Sequence, residues 1–242
     1  MTRLWGVRPA WRTEVLGEFF CSGCGGDRNY RRQRGRRWLR LLGAPVLPLG
    51  PAGTSVQCTA CRARCAPSAL ERPTCTRLSA MLRDAQYTVA LAVLAAGGAA
   101  SRPTREAACG VIREAGFEDC GEAQVLAALA ALSGLGSAPG GDPRGSLPLG
   151  ALPLDAAPLD AVYGGIGGGL AIELHAALEP LAPHLAPQGL ERLLLQGAWI
   201  ALADGPYRPA ERDALAAVGH CLQLGEDRIA ELLEAAARTP HS

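Results

Sequence analysis

Cys21-Ser22-Gly23-Cys24 and Cys58-Thr59-Ala60-Cys61 are two Cys-x-x-Cys pairs with 33 residues between Cys24 and Cys58. Two thiolates three positions apart reach one ion only where the backbone between them turns tightly. Gly23 and Gly25 relieve the steric cost of such a turn. Two knuckles of this kind supply four sulfurs at the corners of a tetrahedron, the arrangement a structural zinc ion takes. The spacing predicts a small β zinc ribbon over residues 19–66, with Cys21, Cys24, Cys58 and Cys61 as ligands and Zn2+ as a structural cofactor. Cys65 lies four residues after Cys61 and leaves Cys61/Cys65 as an alternative second knuckle. Phe19 and Phe20 before the first pair, and Val56 before the second, read as strand residues and favour Cys58/Cys61. A thioredoxin-type dithiol needs a strand-to-helix junction in an α/β unit, and neither pair has one around it. Cys75, Cys109, Cys120 and Cys221 fall in helical patterns and read as small apolar fillers.

Ahead of the ribbon, residues 1–18 read as an arm with Trp5 and Trp11 among arginines. Between the knuckles, Trp38 to Pro48 reads as two short strands bent at Gly43-Ala44-Pro45. A β unit with so few apolar residues needs its metal to fold. The run Arg28, Arg31, Arg32, Arg34, Arg36 and Arg37, with Tyr30 and Trp38 interleaved, has the chemistry to grip phosphates and stack bases. Nucleic acid is therefore one candidate partner. The plainer reading is a solvated hairpin, or one facing an acidic surface.

Charge is divided along the chain. All 24 basic residues are arginine, which together with abundant Ala, Gly and Pro points to a GC-rich genome and weakens any single arginine as a functional sign. Residues 1–77 carry a net charge of +10 and residues 78–242 a net of −9, although the whole chain is close to neutral. Such asymmetry implies either an acidic partner for the basic part or contact between the two parts. A chain of 242 residues suffices for one or two domains with a sizeable core. The N-terminal residues lack the apolar core of a signal peptide, and the longest apolar run, Val89 to Ala100, is too short to span a bilayer. A cytoplasmic protein without a transmembrane segment is expected.

From about Thr74 the apolar period becomes helical, with Leu78, Met81, Leu82, Ala85, Val89 and Ala92 on steps of three and four. A second helix starts at Pro103, and a third carries Val125, Leu126, Leu129 and Leu132. Residues 133–169 are rich in Gly, Pro, Ser and Ala and read as a flexible insertion. Helices resume at Leu170, Pro187, Pro209 and Glu226. An offset of 106 residues aligns Ala92-x-Leu94-Ala95 with Ala198-x-Ile200-Ala201 and Arg102-Pro103 with Arg208-Pro209. The chain is thus expected to be mainly α: a helical domain over 70–242, of two pseudo-repeated halves at about 74–132 and 170–238, behind the ribbon.

The segment Ile200-Ala201-Leu202-Ala203-Asp204-Gly205-Pro206-Tyr207-Arg208-Pro209-Ala210-Glu211-Arg212 resembles the repeated element of the TerB family of tellurite-resistance proteins. The likeness covers about residues 74–242, and a zinc ribbon ahead of a TerB-like domain is similar to an actinobacterial arrangement. The resemblance implies an all-helical bundle and a role in metal or stress response alongside a protein partner of that system. It also implies an acidic turn that binds a second divalent cation, with Asp204 and Glu211 at the matching positions. The first half departs from the pattern, with Gly98-Ala99 in place of Asp-Gly and Arg105 aligned with Glu211. A hard cation wants several oxygen ligands. The competing reading is therefore structural: Asp204 organises the turn and Glu211 favours the helix N-terminus. Arg102 and Arg208 stand where a Ser or Thr cap is expected.

His175 and Glu179 share a helix face and read first as a surface pair, second as two metal ligands. Gly164 to Gly169 lacks both a preceding strand and a following Lys-Ser/Thr, so it is no phosphate loop. No Ser/His/Asp or Cys/His set stands out, and no enzyme is expected.

Overall fold

A computed structural model describes residues 5–41, 44–97, 99–134 and 167–239 of the chain. Nearly all of the insertion expected over 133–169, the bend at Gly43 and the Gly98 position lie outside these residues. The chain divides into two compact units, Met1–Ser79 and Ala80–Ser242.

Three long antiparallel strands build the first unit: β1 (Trp5–Cys21), β2 (Gly26–Leu41) and β3 (Ala44–Cys58). A two-residue β4 (Arg64–Cys65) pairs with the end of β3, giving the order β1-β2-β3-β4. The expected arm is thereby corrected: residues 5–18 form most of β1, paired with β2 from Trp5↔Leu41 to Cys21↔Gly26 with one bulge at Glu14. The two short strands expected around Trp38 to Pro48 are likewise the ends of long ones. Pro45, Pro48 and Pro51 fit within β3 because it is an edge strand over most of its length, and register shifts absorb their misfit. At the cysteine end, Phe19, Cys21, Val56 and Cys58 form a small buried core, with Tyr30, Cys65, Ala69 and Leu70 packed against it. Phe19 and Tyr30 meet edge to face, ring centroids 5.7 Å apart.

The second unit is helical. Seven helices are present among the described residues: α1 (Cys75–Gly97), α2 (Arg102–Glu114), α3 (Glu122–Gly134), α4 (Gly168–Leu178), α5 (Pro187–Leu202), α6 (Pro209–Cys221) and α7 (Glu226–Arg238). Proline opens α5 and α6 and stands second in α2, where its missing N–H costs nothing. The offset of 106 carries the end of α1 to within a residue of the end of α5, and Arg102 at the start of α2 onto Arg208 before α6. Helix α5 packs against α2, α6 and α7 through its buried face, which includes Leu193, Leu194, Ala198 and Ala201. No helix among the described residues is long and apolar enough to cross a membrane.

The end of α1 meets the start of α6 at one close contact. Glu211 is fully buried, and a Cβ added at Gly97 would lie 1.9 Å from its Oε1. Glu211 cannot swing away, because its Oε2 accepts a 2.8 Å hydrogen bond from the Arg208 backbone N–H. In an ordinary helix Gly→Ala stabilises by up to ~1 kcal/mol. Gly97→Ala is expected instead to destabilise by roughly 1–3 kcal/mol, through overpacking and displacement of a buried carboxylate. Chemical denaturation of the single variant, and of Gly97→Ala combined with Glu211→Ala, checks this: the two losses should be clearly non-additive.

Candidate metal centre

The two knuckles are built alike. In the first, Cys24 N–H and Gly25 N–H both donate to Cys21 O, at 3.1 and 2.9 Å, and Gly25 takes a φ of +67°. In the second, Arg62 N–H donates to Cys58 O at 3.1 Å, and Arg62 takes a φ of +61°. Each knuckle therefore ends on a left-handed residue one position after its second cysteine. Glycine accepts that conformation freely, whereas arginine is strained in it. The second knuckle is tied to β2 by Thr59, whose N–H and Oγ1 each donate to Asn29 O at 2.9 Å.

These turns bring Cys21, Cys24, Cys58 and Cys61 together, with all four sulfurs within 4.8 Å of one another. Cys21 Sγ lies 3.7 Å from Cys61 Sγ, and Cys24 Sγ lies 3.9 Å from Cys58 Sγ. A tetrahedral ion with metal–sulfur bonds of about 2.3 Å holds its sulfurs about 3.8 Å apart. The cluster can hold a metal ion and has dimensions compatible with structural zinc. None of the four is in a disulfide. Cys65 lies opposite Val56 on β4, beside the ligand cluster and against the small core.

The thiols divide in acidity. Cys58 is drawn down to about 7, chiefly by the backbone N–H of Cys61 and, against the cost of burial, that of Ala60. Cys24 is pushed up to about 12, first by its hydrogen bond with the Cys61 thiol and then by burial. Without an ion, the cluster thus keeps protons among its sulfurs. A cation replaces them, since thiolates and not thiols are the ligands.

The six arginines singled out from sequence are all exposed on β2, but they do not share one face. Alternation along the strand places Arg28, Arg32, Arg34 and Arg36 with Tyr30 and Trp38 on one side, and Arg31 and Arg37 on the other. The register adds Arg12, opposite Arg34, and Arg8, opposite Trp38, to the first side.

Asp204 and Glu211 both serve the turn into α6. Asp204 Oδ2 accepts from Arg208 Nη2 at 2.8 Å, and Glu211 Oε2 accepts from the Arg208 N–H. Arginine carries no acceptor, so the reciprocal bond of a full capping box is impossible and its side chain goes to Asp204 instead. Glu211 Oε1 meets no hydrogen-bond donor among the described residues. In the first half, Arg105 performs the opposite chemistry. Its Nη1 donates to Ala99 O and Ala100 O at 2.7 and 2.8 Å, and its Nε pairs with Glu122. The cap of α2 is Ser101, with Arg102 inside the helix, which corrects the expectation of an arginine at that cap. His175 and Glu179 form the expected surface pair at 2.8 Å.

One functional contact has no local sequence signal. Asp27, just after the first knuckle, accepts from Cys75 N–H at 2.7 Å and Thr76 N–H at 3.1 Å, and so caps the N-terminus of α1. The Cys75 N–H is the main reason its carboxyl is held below the usual range. The second left-handed residue, Arg62, was legible by laying one knuckle over the other, where it falls on Gly25.

Compared with known protein families, characterised proteins and solved structures, the chain gives no match.

Metal affinity is expected to fall on acidification, because protons compete for the same sulfurs, and to fall more steeply below about 7, where Cys58 also binds a proton. Competition with a chromophoric chelator across pH checks the sign. Cys21→Ser is expected to weaken binding far beyond the ~10–100-fold of a lost outer-shell contact. It should also open the first unit to proteolysis while the helical far-ultraviolet signal persists.

Proposed function

We propose that this chain is a non-enzymatic, zinc-stabilised adaptor of the metal- and stress-response class to which tellurite-resistance proteins belong. In this reading the Cys21, Cys24, Cys58 and Cys61 cluster holds structural Zn2+ and fixes the base of a sheet that presents a cationic surface. The helical unit, TerB-like in its turn from Asp204 to Glu211, binds a protein partner of the stress system or a second divalent cation, in the cytoplasm. The observation that carries the adaptor reading is the pairing of a four-sulfur clip with an arginine-lined sheet whose buried core is confined to the clipped end. The stress-response part rests on the sequence resemblance of residues 200–212.

One observation favours a second reading, a nucleic-acid-binding regulator. Arg28, Arg32, Arg34 and Arg36 lie on one side of β2 together with Trp38, which joins phosphate and stacking chemistry on one surface.

Deleting the chain from its host is expected to raise tellurite sensitivity, restored by the wild-type protein and not by Cys21→Ser. Metal analysis should give zinc lost in Cys21→Ser and kept in Asp204→Ala, and any further ion removed by Asp204→Ala identifies the acidic turn as its site. An unchanged tellurite response would count against the stress reading. Oligonucleotide binding that weakens steeply with salt, by about 0.9 logarithmic units per phosphate contact, would favour the regulator. In that case the combined Arg32→Ala, Arg34→Ala and Arg36→Ala protein should lose more affinity than Arg31→Ala with Arg37→Ala.

A further inference from the structure

Two arginines in β1 and seven in β2 are divided unequally by the strand register, which places all nine except Arg31 and Arg37 on one face. An arginine-rich composition would load both faces alike, so the division belongs to the fold. That face has two zones. Near the cysteines it carries Phe19, Tyr30, Val56 and Cys58, with Ala69 and Leu70 packed on them. Farther along, Arg32, Arg34, Arg36 and Arg40 on β2 and Arg8 and Arg12 on β1 are all exposed. Their other cross-strand neighbours are uncharged: Ala10 and Pro51 flank Arg36, Gly6 and Pro45 flank Arg40, and Thr54 lies opposite Arg34. Among the described residues no Asp or Glu holds a paired position on this face. Glu14, in the bulge of β1, lies 4.0 Å from Arg34.

Spacing and chemistry together select the partner. Alternate residues of a strand stand about 6.6 Å apart. Arg32, Arg34, Arg36 and Arg40 therefore form a row of cations with a period close to that of the phosphates on an extended single strand. Trp38 stands in the same row between Arg36 and Arg40, half-buried, with Arg8 and Pro48 directly across the strands. The carboxylates of an acidic protein would use the arginines and leave the indole idle, whereas an unpaired base stacks on it. In a duplex the bases are already stacked on one another. Its major groove admits a helix or a two-stranded ribbon, and a sheet three strands wide is too broad to enter. A duplex thus offers this face phosphates alone.

We propose that this face of the sheet binds an extended single-stranded nucleic acid. The arginine row of β2, with Arg8 and Arg12 beside it, contacts successive phosphates, and Trp38 stacks one base. Arg31 and Arg37, on the opposite face, take no part. The proposal rests on the nucleic-acid reading of the ribbon and names the form of nucleic acid and the residues of β1 that join β2 in holding it.

The test is fluorescence anisotropy of the full, zinc-loaded chain with labelled oligothymidylate, oligouridylate and a duplex of the same length. At least one single strand is expected to bind about tenfold more tightly than the duplex. The tighter of the two single strands assigns the partner as DNA or RNA. Affinity should fall by about 0.7 logarithmic units per phosphate contact for each logarithmic unit of salt, and Arg8→Ala with Arg12→Ala should take about 1.4 from that slope. Arg31→Ala with Arg37→Ala should leave the slope unchanged. Trp38→Ala should cost about tenfold in single-strand affinity, and Trp38→Phe should keep most of it. An unchanged salt slope in Trp38→Ala establishes that the arginine row is still in place. Duplex binding as tight as that of both single strands overturns the proposal and leaves the nucleic-acid reading standing. Full single-strand affinity in Trp38→Ala overturns it likewise, since no base is then stacked. Displacement of the oligonucleotide by polyglutamate of equal charge and concentration also overturns it and makes an acidic protein the occupant. Binding to no nucleic acid removes the proposal together with the reading it rests on, and leaves the stress-response reading untouched.

Discussion

Four sulfurs brought within 4.8 Å at one end of a sheet are the constraint on which the N-terminal unit depends. The strands are long, yet among the described residues their buried core is Phe19, Cys21, Val56 and Cys58, and two of those four belong to the sulfur cluster. Apolar burial of that extent cannot offset the conformational entropy of ordering three strands. An ion held by the four sulfurs would close the loop between the knuckles and fix the register where β1, β2 and β3 converge, so that the ladder extends from a defined start. Gly25 and Arg62 show how closely the backbone is held to this geometry: the same left-handed turn is kept in both knuckles, once by a residue that adopts it freely and once by one that does not.

The helical unit depends on packing rather than on a clip. Its two halves share helix order and proline punctuation, yet they resolve the same turn with opposite charges. Glu211 accepts from a helix N-terminus, whereas Arg105 donates to the carbonyls following α1. Each choice satisfies backbone groups left open at a helix end. Glu211 is accommodated because Gly97 leaves room for its carboxylate. The sequence likeness at residues 200–212 and the role of Asp204 and Glu211 in the turn are separate matters: the first is a resemblance of sequence, the second a local arrangement in which any cation would have to compete with Arg208 for the carboxylates.

What the sequence made legible was local. Cysteine spacing, the glycines around the first knuckle and proline at helix starts all act within a few residues, and the clip, α2, α5 and α6 appear where those signals place them. Strand length was not legible. Register shifts at Glu14 and within β3 break the two-residue alternation, Pro45, Pro48 and Pro51 read as loop, and arginines outnumber apolar residues through the middle of β2. Long-range satisfaction was invisible too. Asp27 caps a helix 48 residues away, and nothing near Cys75 announces it. The arginine run was visible as composition, but only the register divides it into Arg28, Arg32, Arg34 and Arg36 on one side and Arg31 and Arg37 on the other.

That division bears on how the sheet meets anything else. Among the described residues β1 has no strand on its outer side, and β4 pairs with only Val56 and Gln57 of β3, so two long edges are open to strand addition. Both edges carry deterrents: three prolines along β3 remove donors, and Arg8, Arg12 and the bulge at Glu14 interrupt β1. Backbone pairing with a further strand is thus discouraged at the places where it would be easiest. Recognition is left to side chains on the two faces and at the far end. There the cations are numerous, the acids are absent, and the aliphatics are exposed.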